Sequence, residues 1–230
     1  NQAGRPATAR VRREPIRKES CMPRATWLAT LTAAALMPLL AQAAAEQQFR
    51  SEEGTLTVST LADGLRNPWA LAFLPGGKDM LVTERAGNLR VVNAEGKVGP
   101  PISGVPKVWA EGQGGLLDVV LSPEFDKDRT VYLSYAEEGS DGKAGTAVGR
   151  GQLSEDRARL DNFSVIFRQQ PKLSVGNHFG SRLVFDRDGY LFIALGENNQ
   201  RPTAQDLDKL QGKIVRILSL IHISEPTRPY

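Results

Sequence analysis

The segment 174–185 holds the histidine on which the chemistry of this sequence depends. His178 stands between Gly176 and Gly180, two residues away on either side, so the approach to its ring is open. Imidazole changes charge near neutral pH and is the usual side chain for moving a proton. Glu197 ends the next predicted strand, where a carboxylate would orient the ring and stabilise its protonated form. This pattern indicates a general base; a structural histidine satisfied by a backbone carbonyl is the alternative.

A second polar loop, residues 109–117, reads Trp-Ala-Glu-Gly-Gln-Gly-Gly-Leu-Leu. Glycines on both sides of Gln113 permit positive φ and close backbone approach, so this amide is presented with little steric cover. A plain glycine-rich turn is the alternative. The loop lacks the Gly-Lys-Ser/Thr ending of a phosphate-binding loop, so nucleotide binding is not supported.

For other charged residues, the sequence gives weaker indications of a functional role. Arg182 either pairs with a carboxylate or is a solvated strand charge. The pairs Asp126/Asp128 and Asp186/Asp188 invite a calcium interpretation, but neither continues into a twelve-residue loop with a closing glutamate. Hairpin turns are therefore the favoured reading of both pairs.

The elements that position these loops are predicted to be strands. A strand, a turn with Pro, Asp or Gly, and a second strand recur at 71–83, 119–134 and 183–194. The copies lie 48 residues apart (Phe73 to Leu121) and then 64 apart, near or above the roughly 40–50 residues of a propeller blade. The longer interval contains a polar stretch, 137–146, predicted to be a loop insertion. Because a propeller needs about 4 to 8 blades, three copies predict about half a ring; a β-sandwich is the alternative.

Charge is distributed unevenly along the chain. Residues 1–43 carry a net charge of +5, residues 44–217 carry −2, and the last thirteen are neutral overall. Since the basic character is confined to the N-terminal part, composition does not favour nucleic-acid binding. The single cysteine, Cys21, precedes the apolar run of that part, so the mature protein is predicted to have no disulfide, catalytic thiolate or cysteine metal site.

Residues 22–43 are predicted to be a secretory signal peptide. Met22 opens a short positive start, residues 27–40 are largely apolar, and Ala-Gln-Ala at 41–43 supplies the small residues of a cleavage site. The apolar run is too short to cross a bilayer as a helix of roughly 20 residues. Residues 1–21 then represent upstream read-through that is not native or not translated. The mature protein is expected to be periplasmic or secreted, with no membrane segment after cleavage.

The last residues, 218–230, resemble a translated sequencing adapter. The native sequence is therefore predicted to be interrupted near Ile217, and His222 is assigned no function. The remaining 44–217 form the predicted domain, a length within the usual domain range of roughly 50 to 250 residues.

Five motifs occur in order along that domain, at 67–75, 82–89, 111–117, 177–183 and 212–217. Together they resemble the soluble pyrroloquinoline-quinone-dependent sugar dehydrogenases of the glucose/sorbosone or aldose sugar type. The resemblance implies an all-β, six-bladed β-propeller of four-stranded antiparallel blades, of which only about the first half is present. It also implies the quinone over the central channel, calcium helping to hold it, and oxidation of aldoses at C1 to lactones.

The resemblance also implies residue roles. His178 matches the family's catalytic base, and Gln113 matches a residue that faces substrate and cofactor. Asn177 falls where the family often has another polar residue, and we assign it to cofactor binding with Gln113. Glu197 takes the place of the family's usual aspartate, so its partnership with His178 is an expectation. No metal ligand is assigned; calcium ligands are expected beyond residue 217.

Two other functions stay open at this point. The loops of a propeller can also bind a glycan or a protein without any redox step, or a propeller lactonase can act with metal alone. The electron acceptor is left unassigned. The chain expressed by itself is predicted to be insoluble or inactive, because its ring would not close and its strand edges would be exposed.

Overall fold

The computed structural model describes residues 46–174 and 176–218. The predicted read-through, signal peptide and most of the adapter-like segment lie outside these residues. Within them, one helix, α1, spans Phe125–Asp128, and two 3-10 turns span Ser140–Gly142 and Arg201–Gln205. The strands are β1 Gln47–Ser51, β2 Gly54–Val58, β3 Pro68–Phe73, β4 Met80–Glu84, β5 Asn88–Val92, β6 Val98–Pro101, β7 Leu116–Leu121, β8 Thr130–Glu138, β9 Ala144–Leu153, β10 Leu160–Arg168, β11 Gly180–Phe185, β12 Tyr190–Leu195 and β13 Ile214–Leu218.

The strands form antiparallel meanders in chain order. One sheet has the order β3-β4-β5-β6, a second β7-β8-β9-β10, and a third β11-β12-β13, while β1 and β2 form a separate hairpin. The first strands contact one another from sheet to sheet, β3 against β7 and β7 against β11. This arrangement confirms the predicted four-stranded antiparallel blades, and each of the three sequence repeats is the first hairpin of one sheet.

The hairpin β4–β5 shows why the sequence folds this way. Val82 and Thr83 in β4 are β-branched and favour the pleated conformation, and the three-residue loop 85–87 ends in Gly87 with φ of 108°. A positive φ at that point suits a tight hairpin and is easily adopted by glycine. The N–H of Gly87 donates to the carbonyl of Glu84 at 2.9 Å, and Glu84 pairs with Asn88 across the strands.

An equivalent β-bulge interrupts the first strand of all three sheets. Between two successive paired positions, the first strand advances by three residues while its neighbour advances by two. The paired stretches are 68–71 against 84–82, 116–119 against 135–133, and 180–183 against 195–193. Bulges re-aim side chains and are frequent next to active sites. Here Asp118 and Arg182 occupy corresponding points of the second and third sheets, where the first sheet has Ala70, and Trp69 lies one residue earlier in its bulge.

The hydrophobic cores lie between neighbouring sheets. Leu81 and Leu89 of the first sheet pack with Leu116 and Leu133 of the second, and all four are fully buried. Tyr132 of the second sheet packs in the same way with the third. Full burial of one leucine side chain contributes about 1.5–3 kcal/mol, so these layers fix the sheets against each other.

The loop predicted at 137–146 is shorter than expected. β8 ends at Glu138 and β9 begins at Ala144, so half of the stretch is strand and the connection is confined to 139–143, with a 3-10 turn at Ser140–Gly142. Glu137 stays in the strand because its carboxylate pairs with Arg168 at 2.9 Å and with Lys172 at 2.6 Å. The 64-residue interval arises mainly from β8, β9 and β10, which have nine or ten residues each, whereas the strands of the first sheet have four to six.

No helix in the part of the chain that the structure describes is long and apolar enough to cross a membrane.

Candidate active site

A cavity of about 390 Å³ lies where the first strands of the three sheets begin. Each sheet contributes to its wall, through the start of its first strand or the loop before it, and the first sheet also through the end of β4. The lining residues are Trp69, Arg85, Gly112, Gln113, Leu117, His178, Phe179 and Gly180. The fold therefore brings Gln113 and His178, which are 65 residues apart, into one site.

His178 is held on both sides of its backbone. Its φ is 53°, an uncommon conformation for a residue with a β-carbon. Its N–H donates to Oε1 of Gln113 at 2.9 Å, and its carbonyl accepts the N–H of Asn198 at 3.3 Å. The ring is 37 % exposed, which leaves it accessible from the cavity.

The Nδ1 atom of His178 is in hydrogen-bond contact with Oε1 of Glu197. When Nδ1 carries the proton and donates it to this carboxylate, Nε2 is the basic nitrogen. The hydrogen bond from His178 is the main cause that holds the pKa of Glu197 below its ordinary value, against the opposing effect of burial. Glu197 is thus a carboxylate at neutral pH and stabilises a protonated ring.

Arg85 fixes the loop that carries Gln113. Its Nη1 donates to the carbonyls of Ala110 at 3.1 Å and Gly112 at 2.8 Å. The N–H of Gln113 donates to the carbonyl of Gly176 at 2.7 Å, which ties this loop to the segment before His178. Since Oε1 of Gln113 is occupied by the His178 N–H, its Nε2 amide is available to a molecule in the cavity.

Arg182 pairs with a carboxylate, the first of the two alternatives that the sequence left open. Its Nη1 lies 2.8 Å from Oδ1 of Asp118, which is 1 % exposed, and its guanidinium lies 5.0 Å from the ring centre of Trp69. Asp118 also accepts the N–H of Leu183 at 2.7 Å. Burial nevertheless raises the pKa of Asp118. These contacts join the three bulges directly beside the cavity.

Asn177 lies next to His178, but it is not among the residues that line the cavity. Its Oδ1 accepts the Nδ2 amide of Asn199 at 2.8 Å. Its assignment to cofactor binding stays a prediction.

Sequence reasoning assigned no role in the site to Arg85, Asn198 or Gln169, although Asn198 lies in a polar loop, 196–201, that the sequence marks as a candidate. Arg85 was within one of the five motifs, which was its only signal. Asn198 and Gln169 are each 1 % exposed, and their amides bond to each other at 3.1 Å. A contact across 29 residues leaves no local pattern in the sequence.

The described residues bring together no group of three His, Cys, Asp or Glu side chains suited to a metal ion. Asp186 has the predicted turn role, since its Oδ1 accepts the N–H groups of Asp188 and Tyr190. Asp126 and Asp128 lie within the short helix α1 in the connection between β7 and β8, where Oδ1 of Asp128 accepts the N–H of Thr130 at 2.8 Å. Calcium binding therefore stays an expectation, and no calcium ligand is assigned among the described residues.

A larger depression of about 650 Å³ lies around the turns 127–129 and 152–161. It has the greater volume but no histidine, and two of its arginines bond within its own wall. Arg159 pairs with Asp161 at 3.3 Å, and Arg129 donates to the carbonyls of Leu153 and Ser154 at 2.7 Å. The chemistry is therefore assigned to the smaller cavity.

Comparison with known proteins places this geometry in a family. The glucose/sorbosone dehydrogenase family model matches residues 65–225, which include the whole site. This chain belongs to the glucose/sorbosone dehydrogenase family. The resemblance drawn from the five motifs is confirmed.

A protein sequence and a solved structure, both highly similar to this chain, support the assignment. The aldose sugar dehydrogenase YliI of Escherichia coli is 60 % identical over 182 residues, which cover 79 % of this chain and 48 % of that protein. The apo-form structure of the soluble aldose sugar dehydrogenase from Escherichia coli is 64 % identical, with a TM-score of 0.68 over 70 % of this chain and 46 % of that one.

A more distant structure has the cofactor bound. The PQQ-bound form of an aldose sugar dehydrogenase from Streptomyces coelicolor is 28 % identical, with a TM-score of 0.61 over 81 % of this chain and 54 % of that one. The match to these sugar dehydrogenases confirms the all-β propeller class, of which part is present. This family member spans about half the length of the relatives that it matches.

Proposed function

We propose that the full-length protein oxidises aldose sugars at C1 to the lactone, with His178 as general base and pyrroloquinoline quinone as cofactor. The observation that carries the proposal is the contact between Nδ1 of His178 and Glu197 at the wall of an open cavity. The aldose sugar dehydrogenase relatives and the PQQ-bound homologue support the substrate class and the cofactor.

The residues around the cavity fit a planar, oxygen-rich aromatic group. Trp69, which is only partly buried, offers an aromatic surface, since aromatic rings stack face to face with an offset. The Nε2 amide of Gln113 offers a donor to an oxygen of such a ring. When bound, the quinone supplies an electron acceptor that takes up the hydride from the sugar C1.

The chain's own residues account for the proton. Nε2 of His178 accepts the proton of the anomeric hydroxyl, so that loss of this proton and of the C1 hydride converts the hemiacetal to the lactone. Glu197 keeps the ring in the tautomer with Nδ1 protonated and stabilises the imidazolium that results. Gln113 holds the His178 backbone and fixes the position of the ring in the cavity.

Three finer points are proposed on the sequence and the family alone. Calcium assists cofactor binding through ligands that lie outside the described residues, and no step is derived through it. The protein is periplasmic or secreted, on the evidence of the apolar run before residue 44. The substrate is a small sugar, and the partner that reoxidises the cofactor is unassigned.

The decisive experiment compares His178→Ala with the unchanged full-length protein after loading with pyrroloquinoline quinone. We expect glucose-dependent reduction of an acceptor dye to fall about 10²- to 10⁴-fold, the usual contribution of a general base. Quinone binding, followed by tryptophan fluorescence, should persist because His178 is one of eight lining residues. Asn162→Gly, an exposed change in β10, is the control for expression and folding.

The alternatives give different results. A binding module would show no quinone-dependent turnover in the unchanged protein, and His178→Ala would weaken glycan or protein binding. A lactonase would hydrolyse gluconolactone without the quinone and would lose activity to a chelator. Undiminished sugar oxidation by His178→Ala would contradict the proposal.

A further inference from the structure

Two fully buried amide side chains lie behind the His178–Glu197 pair. Asn198 and Gln169 are each 1 % exposed, so every polar atom of theirs must find a partner within the protein. Neither lines the cavity, so neither touches a bound molecule there. Their role is therefore exerted through the residues to which they bond.

The amides form a chain of hydrogen bonds with a single direction. The N–H of Thr146 donates to Oε1 of Gln169 at 3.3 Å, and Nε2 of Gln169 donates to Oδ1 of Asn198 at 3.1 Å. Nδ2 of Asn198 then donates to the carbonyl of Asn177 at 2.9 Å. A backbone donor at one end and a backbone acceptor at the other fix the orientation of both amides, since a flipped amide would place two donors or two acceptors together.

Asn198 donates hydrogen bonds to two successive carbonyls of the chain segment that carries His178. Its side-chain amide donates to the carbonyl of Asn177, and its backbone N–H donates to the carbonyl of His178 at 3.3 Å. His178 has a positive φ, which a residue with a β-carbon keeps only when its surroundings determine it. Asn198 also directly follows Glu197 in the chain. This one residue therefore constrains the backbone positions of both His178 and Glu197.

We propose that Asn198, oriented by Gln169, is a positioning residue for the reaction assigned to His178. Its buried amide holds the main chain of residues 177 and 178 so that the imidazole meets Glu197 and faces the cavity. The inference rests on the proposed function for its effect on turnover. Its geometric part, the alignment of His178 with Glu197, is independent of turnover.

The test variant is Asn198→Gly in the full-length protein loaded with pyrroloquinoline quinone. Glycine adopts the φ of 47° at this position without strain, so the change removes the amide and little else. We expect kcat to fall about 10- to 100-fold, as for a catalytic group displaced by a fraction of an ångström to an ångström, while KM for glucose changes much less. Asn162→Gly is the matched control, because Asn162 also has a positive φ, 54°, but an exposed side chain.

A second readout does not depend on activity. The pKa of Glu197 is low chiefly because His178 donates to it. If Asn198 aligns the pair, Asn198→Gly should raise the pKa of Glu197 toward its ordinary value, measured by NMR titration of its carboxyl carbon. A merely structural role for Asn198 would lower the melting temperature and leave this titration in place.

Two further variants keep the inference testable. Asn198→Asp has the same shape but cannot donate to Asn177 when ionised, so we expect it to be as impaired as Asn198→Gly. If Asn198→Gly does not fold, Gln169→Met is used, since it frees Oδ1 of Asn198 and leaves the Asn198 backbone unchanged. We expect a loss in the same direction but smaller, about 3- to 10-fold.

The outcomes separate the two claims. Unchanged kcat and an unchanged Glu197 titration in Asn198→Gly, or in Gln169→Met where it takes the place of that variant, would overturn the positioning role. Full activity in His178→Ala would instead overturn the proposed function, and the Glu197 titration would still decide whether Asn198 aligns the pair.

Discussion

Gly196 lies so close to His178 that a β-carbon at position 196 would overlap the carbonyl oxygen of His178. The N–H of Gly196 also donates to the carbonyl of Phe179 at 3.1 Å, so the end of β12 runs directly against the start of β11. This close approach is what allows Glu197, the next residue, to reach the imidazole. Glycine is required here by contact with a neighbouring backbone.

Gly196→Ala should therefore disable the site. The new methyl group can be accommodated only if the His178 backbone moves, because the obstructing atoms are main-chain atoms. We expect kcat of the full-length, quinone-loaded protein to fall roughly 100-fold, since displacement of a catalytic group by about 1 Å has an effect of that size.

Gly142→Ala is the control for this change. Gly142 has a φ of 69° and open space around it, so alanine there adds backbone strain without a clash, in a turn far along the chain from the site. It should lower the melting temperature and leave kcat unchanged. Equal kcat in Gly196→Ala and the unchanged protein would contradict this prediction. It would mean that the end of β12 can move away from His178 without loss of activity.

Glu197 should contribute stability that depends on pH. Its pKa is lowered in the folded state, so between the lowered value and the ordinary value of 4.5 the unfolded chain binds more protons. The contribution is complete above about pH 5 and is lost as the pH falls through the lowered pKa. Other carboxylates titrate in the same range, so a difference between two proteins is needed.

The comparison is between the unchanged protein and Glu197→Gln, with the free energy of unfolding measured in urea from pH 7 to pH 3. Glutamine resembles the protonated carboxyl, so the deficit of the variant should be constant near neutral pH and shrink in acid. A deficit in the free energy of unfolding that does not change with pH would mean that the charge of Glu197 does not stabilise the folded protein.

The sequence predicted the parts of this structure that have local signals. The first hairpins of the three sheets follow from alternating apolar residues around Pro, Asp and Gly turns, which depend on neighbours within a few positions. The proximity of Glu197 to His178 was predicted because each ends or begins a strand of the same hairpin. The enzyme family then followed from five ordered motifs.

The rest depends on contacts between distant residues. The strands around 137–146 were missed because Glu137 is stabilised by Lys172, 35 residues away. Asp118 was not recognised as a partner of Arg182 because it reads as one polar residue inside an apolar strand, and its partner is 64 residues further on. The common bulge is invisible for the same reason, since it is defined only by the register between two strands.

Removal of the Arg182 guanidinium should destabilise the protein at neutral pH. Asp118 is buried and its pKa is already raised, so Arg182→Met leaves an ionised carboxylate with only backbone N–H partners. We expect a loss of about 1–3 kcal/mol in the free energy of unfolding at pH 7. Arg182 lowers the pKa of Asp118 against the effect of burial, so its removal raises that pKa further. The folded variant therefore takes up a proton at higher pH than the unchanged protein, and the loss should shrink as the pH falls.

The double variant Asp118→Asn with Arg182→Met is the control. It removes the buried charge together with its partner, so it should be more stable at pH 7 than Arg182→Met alone. The opposite order would mean that Arg182 acts through its contact with the Trp69 ring, 5.0 Å away, and not through Asp118.

Arg85→Lys should weaken cofactor binding by loosening the Gln113 loop. A single atom, Nη1 of Arg85, reaches the carbonyls of both Ala110 and Gly112 in that loop. A lysine side chain ends one bond short of that atom, so its ammonium group cannot keep the same position between the two carbonyls. We expect the dissociation constant for pyrroloquinoline quinone to rise about tenfold, which corresponds to one lost hydrogen bond of roughly 1.5 kcal/mol. The measurement is quenching of tryptophan fluorescence in the full-length apo protein. Arg157→Lys, at an ion pair with Asp79 away from the cavity, should leave that constant unchanged, and equal weakening by both variants would contradict a specific role for Arg85.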